Sequence, residues 1–241
     1  ILAQMAADGL GCDMDNIIVR GVDTDQSPYD SGSYASSTTY VTGGAVVKAC
    51  ESMRKRICEE AAAIMGLKSC EVDFDGETIS ENDNPEHSMT LSDLITSLEA
   101  GNGRIIEVTE SHTSPVSPPP FMAGAAEIEV DLETGKITPI NYVAAVDCGT
   151  VINTNLARIQ TEGGIVQGMG MTLYEDVQYT EAGKMKNRNF MSYKIPTRLD
   201  MGSISVEFES SYEQTGPYGA KSIGEIVINT PAPAIADAVY N

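Results

Sequence analysis

Apolar side chains recur at the three-to-four-residue spacing of an amphipathic helix in several parts of the chain. Helices are predicted on this basis over residues 1–8, 46–64, 88–99, 158–171 and 232–240. Gly9 and Gly11 follow the first of these stretches and Gly66 follows the second. Glycine readily takes the left-handed conformation that ends a helix, so these positions predict the two C-terminal ends.

Other stretches alternate between apolar and polar residues, or are short apolar runs, and these predict strands. They cover residues 17–22, 70–77, 105–108, 125–131, 137–146 and 203–208. Asp75-Gly76 and the Glu133–Lys136 segment are turn sequences and predict hairpins. Residues 82–87 are polar throughout and are predicted to form a loop.

The Ser- and Pro-rich segment 111–120 interrupts regular structure and predicts a boundary between two parts of the chain. The predicted fold class is α+β, with two α/β two-layer subdomains that each pack helices on one face of a mixed sheet. The first is expected to span residues 1–115 and to contain the loop 27–37 and the long helix. The second, 116–241, carries Gln167 and Glu225. Because the chain begins at Ile1 inside a helical pattern, we expect it to be part of a longer polypeptide.

Composition narrows the classes of function. The 241 residues carry a net charge of −20, which disfavours nucleic acid and anionic membrane surfaces as partners because both would be repelled. No apolar run is long enough to predict a membrane span. Five cysteines are scattered without the spacing of a zinc or iron–sulfur site, which favours a reducing cytoplasm and predicts no metal ligands among the side chains. His87 and His112 lie in polar segments and are expected to be solvated.

A loop rich in glycine delivers one carboxylate to the start of an apolar run. Residues 216–225 read Gly-Pro-Tyr-Gly-Ala-Lys-Ser-Ile-Gly-Glu and are followed by Ile-Val-Ile. A carboxylate at the edge of apolar surroundings can serve as a general base, which makes Glu225 a candidate catalytic residue. The alternative is a glycine-rich turn that carries an ordinary surface glutamate.

A second candidate site is the polar loop 23–37, placed between a predicted strand and the long helix. Backbone N–H groups at the start of a helix can bind a phosphate. The loop lacks both the Gly-Lys-Ser/Thr of a P-loop and the Gly-x-Gly-x-x-Gly of a dinucleotide fold. A well-capped helix explains the same residues without a ligand. Four glycines in the helical run 158–171 are costly for a helix, which indicates that another backbone or a ligand passes close by.

Four segments together resemble the C-terminal part of the large subunit of the molybdenum hydroxylases, the xanthine dehydrogenase and aldehyde oxidoreductase family. The first is the loop 28–37, Pro-Tyr-Asp-Ser-Gly-Ser-Tyr-Ala-Ser-Ser, and the second is Val-Asp-Cys-Gly at 146–149. The others are Gln-x-Glu-Gly-Gly-x-x-Gln-Gly-x-Gly at 160–170 and Gly-Ala-Lys-x-x-Gly-Glu at 219–225. Each motif alone is weak, but the four occur in this order over nearly the whole chain.

The resemblance implies a domain that holds part of a molybdopterin cofactor, in mono- or dinucleotide form, and that acts on a purine, another N-heterocycle or an aldehyde with water as the oxygen source. By position in the motifs, Glu225 is the catalytic base beside molybdenum and the Ala35 backbone N–H faces the metal centre. Gln167 corresponds to a glutamine that hydrogen-bonds near the molybdenum ligands. The residues that line the pterin and phosphate are Ser33, Tyr34, Ser36 and Ser37.

The resemblance also implies partners: the rest of the molybdenum subunit, iron–sulfur and flavin subunits or domains, and a small-molecule substrate. Cofactor motifs that precede this region in the family are absent from the chain, so the 241 residues alone are expected to bind the cofactor incompletely or not at all and to be inactive. Two alternatives from other classes remain open. One is a separate non-catalytic subunit with the same fold, and the other is a phosphate- or nucleotide-binding module.

Overall fold

The computed structural model describes residues 1–241, the side chain of Asn102 excepted. Its α-helices are α1 (Leu2–Leu10), α2 (Gly43–Met65), α3 (Leu91–Asn102), α4 (Thr154–Leu173) and α5 (Pro231–Tyr240). Its strands are β1 (Val72–Phe74), β2 (Thr78–Glu81), β3 (Asn84–Thr90), β4 (Phe121–Val130), β5 (Ile137–Asp147) and β6 (Ser203–Phe208).

The helices begin and end at residues whose local chemistry explains the boundary. α1 ends at Gly11 and α2 at Gly66, both in the left-handed conformation that the sequence predicts for them. The Thr90 hydroxyl accepts a hydrogen bond from the Asp93 N–H, which caps the start of α3. The Asn153 side chain accepts from Leu156 N–H and caps α4 in the same way.

Two three-stranded sheets are present in the described residues, in the orders β1-β2-β3 and β4-β5-β6. In the first sheet both pairings are antiparallel, because tight turns join its strands. The second sheet is mixed: β4 and β5 form an antiparallel hairpin, whereas β6 pairs with β5 in parallel, with Asn141 opposite Ser203. Parallel neighbours need a crossover connection, and α4 lies in the segment that joins them.

The chain forms two compact units. The first consists of Ile1–Gly32 and Ser37–Val116, and the second of Ser33–Ser36 and Ser117–Asn241. In the first unit α2 and α3 pack on the small sheet, and the buried core is Ile57, Ala61, Ala62, Val72, Phe74, Ile79, Leu94 and Leu98. In the second unit the core contains Tyr142, Ala144, Val146, Cys148, Ile165, Met169, Met201 and Ile235. Four residues of the loop assigned from sequence to the first half thus pack with the second unit.

Two predicted strands are wrong. Residues 17–22 and 105–108 form no strand, and Ile18 is 80% exposed. A short apolar run becomes a strand only where a neighbouring strand offers backbone partners, and these segments pair with none of the described strands. The opposite error occurs at residues 84–90, predicted in part as a loop, which form β3 because they pair with β2 despite their polar composition.

Candidate functional site

The loop Ser33–Ser36 has an unusual backbone. Ala35 and Ser36 are consecutive non-glycine residues with positive φ values of 51° and 56°. A side chain in this region meets its own backbone, so such residues persist only where the surroundings hold them, and they are concentrated at functional sites. Ser33, Tyr34 and Ala35 are exposed and Ser36 is half-buried. The loop therefore presents its N–H groups and hydroxyls at the surface of the second unit.

Ser36 is joined to Glu225. Its hydroxyl donates a hydrogen bond to Glu225 Oε2 at 3.1 Å. A Cβ atom at the neighbouring Gly224 would lie 2.8 Å from Ser36 Oγ and 3.6 Å from Gln160 Nε2. A larger residue at position 224 would therefore displace the Ser36 side chain from its present position. The result is a cluster of a hydroxyl, an amide and one carboxylate.

The surroundings of Glu225 differ from the sequence expectation. The glutamate is exposed, not enclosed by the apolar run that follows it. That run forms a short helical turn, Ile226–Ile228, whose central residue Val227 is fully buried. A Cβ atom at Gly164 would collide with the Val227 side chain, so Val227 faces α4 while the carboxylate faces solvent.

Three of the four glycines of α4 fulfil the expectation that something passes close to this helix, and in each case the close neighbour is another part of the protein. Gly164 faces Val227, and a Cβ at Gly168 would lie 2.8 Å from the Pro231 side chain and 2.9 Å from the Ile228 carbonyl oxygen. A Cβ at Gly170 would lie 3.0 Å from the Pro196 ring.

Gly163 is different, because a Cβ there would meet nothing within 4 Å. It lies on the exposed face of α4 that also carries Gln160 and Gln167. Gln167, the glutamine predicted from the sequence, follows Gln160 by seven residues, which is roughly 10 Å along the helix axis. Gln160 is the glutamine that approaches Gly224. The seven-residue spacing places both on one side of a helix, and this signal could have drawn attention to Gln160.

The loop that carries Glu225 is fastened to the end of β5. Lys221 Nζ lies 2.7 Å from Asp147 Oδ2, and the Lys221 N–H donates to the Cys148 carbonyl oxygen at 2.8 Å. The Thr150 N–H donates to the Gly219 carbonyl oxygen, also at 2.8 Å.

Charges at this junction are stabilised by their partners. Burial alone would raise the pKa of Asp147, but hydrogen bonds from Lys221, Ser211 and the Gly149 N–H, together with the Lys221 charge, outweigh burial and hold that pKa below its usual value. At Cys148 the pKa moves in the opposite direction. Burial and the neighbouring Asp147 charge raise the pKa of the thiol to about 11. Cys148 is thus an unreactive core residue.

The remaining predicted residues fall elsewhere. Ser37 belongs to the first unit, where its carbonyl oxygen accepts from the Val41 N–H at 2.6 Å in the helical turn Thr38–Thr42. His87 Nδ1 pairs with Glu81 at 2.8 Å. The expectation of a solvated His112 is wrong: both of its ring nitrogens are buried, and the ring lies over Gly44. Among the side chains that the structure describes, no group of three or more His, Cys, Asp or Glu could hold a metal ion.

Comparison with known proteins assigns the fold. A family model described as molybdopterin cofactor-binding domain matches residues 1–202. The chain belongs to the molybdopterin cofactor-binding domain family. This confirms the resemblance seen in the sequence motifs, the α+β class and the class of cofactor. None of the helices in the described part of the chain is both long and apolar enough to cross a membrane.

Relatives of the chain are molybdenum enzymes or their subunits. The chain is 32% identical to "Probable hypoxanthine oxidase XdhD" of Escherichia coli K12, over all of this chain and 25% of the relative. It is 29% identical to the nicotine 6-hydroxylase large subunit of Paenarthrobacter nicotinovorans, over 99% of this chain and 30% of the relative. The structure of quinoline 2-oxidoreductase from Pseudomonas putida 86 superposes with a TM-score of 0.81 at 27% identity, over 99% of this chain and 31% of the other. The chain thus spans about a quarter to a third of these relatives.

Proposed function

We propose that this chain is the C-terminal molybdopterin-binding portion of a hydroxylase that oxidises a purine, another N-heterocycle or an aldehyde, with water as the oxygen source. The single observation that carries the proposal is the hydrogen bond between Ser36 and Glu225 at 3.1 Å, in a chain of the molybdopterin cofactor-binding domain family. It joins a polar, strained loop to an exposed carboxylate within one compact unit.

The residues at this site have the chemistry to hold the cofactor. A pterin offers hydrogen-bond donors and acceptors, and its phosphate is an anion. The exposed hydroxyls and N–H groups of Ser33, Tyr34 and Ala35 suit such a ligand, as does the open space over Gly163. Gln160 and Gln167 add amide donors on the same exposed face of α4. The sequence resemblance adds Ser37 to the residues that would bind the cofactor.

Each residue then has a defined task. Bound molybdopterin would supply the molybdenum centre that accepts electrons from the substrate carbon. Glu225 accepts a proton as the general base, and the Ser36 hydroxyl orients its carboxylate. By the motif resemblance, the Ala35 N–H would face the centre, and Ser33, Tyr34 and Ser37 would bind the pterin and phosphate. Iron–sulfur and flavin partners in a cytoplasmic complex would take up the electrons, and the rest of the molybdenum subunit would complete the site.

The test is steady-state hydroxylase kinetics on the complete enzyme, wild type against Glu225→Gln, with molybdenum content measured in both. A lost general base lowers the rate by about 10²-fold or more. We expect that loss with molybdenum retained. Activity that persists in the variant would refute the assignment of Glu225.

A binding assay on the chain alone separates the proposal from its alternatives. We expect the isolated chain to lack stoichiometric molybdenum and hydroxylase activity. A tight complex with a free nucleotide that Ser33→Ala weakens would instead favour a nucleotide-binding module.

A further inference from the structure

The ion pair between Lys221 and Asp147 is nearly buried and fully hydrogen-bonded on its acidic side. The two side chains are only 11% and 20% exposed. Asp147 Oδ2 accepts a hydrogen bond from Lys221 Nζ. Asp147 Oδ1 accepts hydrogen bonds from the Ser211 hydroxyl at 2.5 Å and from the Gly149 N–H at 3.0 Å. Buried ion pairs contribute little net stability, because desolvation offsets the attraction. Removing or displacing one partner is nevertheless costly, because it leaves an uncompensated buried charge.

The same residues are joined through their backbones. Besides the bonds from Lys221 N–H to Cys148 and from Thr150 N–H to Gly219, Gly149 has a φ of 70°. A Cβ at Gly149 would collide with the Gly219 carbonyl oxygen and lie 2.9 Å from the Lys221 nitrogen. Lys221 also makes a cation–π contact with Phe121, whose ring centroid lies 5.5 Å from Lys221 Nζ. These backbone and side-chain contacts together fix the position of Lys221 at the end of β5.

Glu225 follows Lys221 by four residues, and the segment between them is held. Ile223 packs against the core of the second unit, and a Cβ atom at Gly224 would lie 2.8 Å from Ser36 Oγ. Four residues span at most roughly 14 Å, so a shift at Lys221 is transmitted to the carboxylate. The loop is thus anchored by the ion pair at one end and by the Ser36 hydrogen bond at the other.

We propose that Lys221, through its ion pair with Asp147, is a positioning residue that fixes the location of the Glu225 carboxylate. The inference rests on the proposed function, because it assigns Lys221 to the site at which Glu225 acts as base. The described side-chain partners of Lys221 are Asp147 and the Phe121 ring, so we assign it a role through the loop and not through direct contact with the substrate. Its role is to restrict the loop 219–225.

The experiment uses the complete enzyme in four forms: wild type, Lys221→Met, Lys221→Arg and, as a matched control, Lys136→Met, which removes an exposed lysine of the same unit. Backbone hydrogen exchange over residues 219–225, molybdenum content, kcat and KM are measured. We expect Lys221→Met to speed exchange in this loop by about 10-fold or more while the helix α4 stays protected. We expect kcat to fall about 10-fold with KM changed less than about 2-fold, and Lys221→Arg to recover part of the loss.

A double-mutant comparison separates positioning from general destabilisation. In a Glu225→Gln background, Lys221→Met should cost less than about 2-fold in kcat, because the group that it positions is already gone. Asp147→Asn is a second variant in case Lys221→Met does not fold: its amide oxygen keeps the acceptor for Ser211 and Gly149, while an NH2 group replaces the charged oxygen that accepts from Lys221. It should reproduce the faster exchange.

Unchanged exchange in the loop 219–225, an effect spread evenly over the second unit, or an equal kcat loss in the Glu225→Gln background would each overturn the inference. Failure of the proposed function has a different signature. Wild-type enzyme without molybdenum or hydroxylase activity would refute the function, and the exchange measurement would still decide whether the ion pair holds the loop.

Discussion

The Ser36 hydroxyl donates a hydrogen bond to Glu225 Oε2 at 3.1 Å, although 189 positions of sequence separate the two residues. We expect Ser36→Ala to lower kcat of the complete enzyme by about 3- to 10-fold, because one hydrogen bond to a charged group is lost at an exposed position. Steady-state kinetics of Ser36→Ala, Glu225→Gln and the double variant test this. In the Glu225→Gln background, Ser36→Ala should cause almost no further loss of kcat. Ser203→Ala, at the start of β6, is the matched control. A full-size loss in the double variant would show that Ser36 acts independently of Glu225.

The strained backbone at Ala35 predicts a difference between two small substitutions. Ala35→Val places a β-branched side chain at a φ of 51° and should destabilise the loop by about 1–3 kcal/mol. Ala35→Gly relieves the strain and should be neutral or slightly stabilising. Limited proteolysis at the loop and thermal unfolding of the chain measure both. Equal behaviour of the two variants would mean that the left-handed conformation is not maintained in solution.

Adjacent glycines in α4 should respond to alanine in opposite directions. Gly163 faces open space, so Gly163→Ala should raise the free energy of unfolding by about 0.5–1 kcal/mol through its better helix propensity. Gly164→Ala would collide with Val227 and should lower it by about 1–3 kcal/mol. Urea unfolding of the chain followed by circular dichroism compares the pair, each variant serving as the other's control. The same sign for both changes would contradict the packing of Val227 on α4.

His112 predicts a pH dependence of stability. Burial, and then the nearby Lys48 charge, lower the pKa of His112 below its usual 6.5. The unfolded chain therefore binds more protons in the window just below pH 6.5, so the His112 contribution to stability is present above that pH and is lost as pH falls through the lowered pKa.

Urea unfolding at pH 7.5 and pH 5 tests this dependence. His112→Phe should lose less stability than wild type over that interval, since it has no group to protonate. Lys48→Met should reduce the effect in part, because it removes the repulsive charge. Parallel pH profiles for wild type and His112→Phe would refute the assignment.

The sequence predicted the elements that are defined by local chemistry. Helical periodicity and Gly66 located α2, and the Asp75-Gly76 turn located the β1-β2 hairpin. Elements that depend on distant partners were missed. Residues 17–22 have the composition of a strand but no neighbour, and residues 84–90 become β3 only through pairing with β2.

The candidate site divides in the same way. Glu225 stood out locally, because a glycine-rich loop delivers it, but its exposure depends on how Val227 packs on α4. The sequence does not predict the place of Gln160 in the site, because its approach to Gly224 joins residues that are distant in sequence. The roles of Glu225, Gln167 and residues 33–37 came from resemblance and stay predictions.

The membership of Ser33–Ser36 in the second unit has a consequence for biosynthesis. These four residues leave the ribosome long before Glu225, the partner 189 positions later. At 5–20 residues per second this interval lasts roughly 10–40 s. During that time the hydrogen bond from Ser36 to Glu225 cannot form. The second unit therefore cannot be completed before Glu225 has been synthesised, and a nascent chain arrested before residue 225 should expose this loop to proteases.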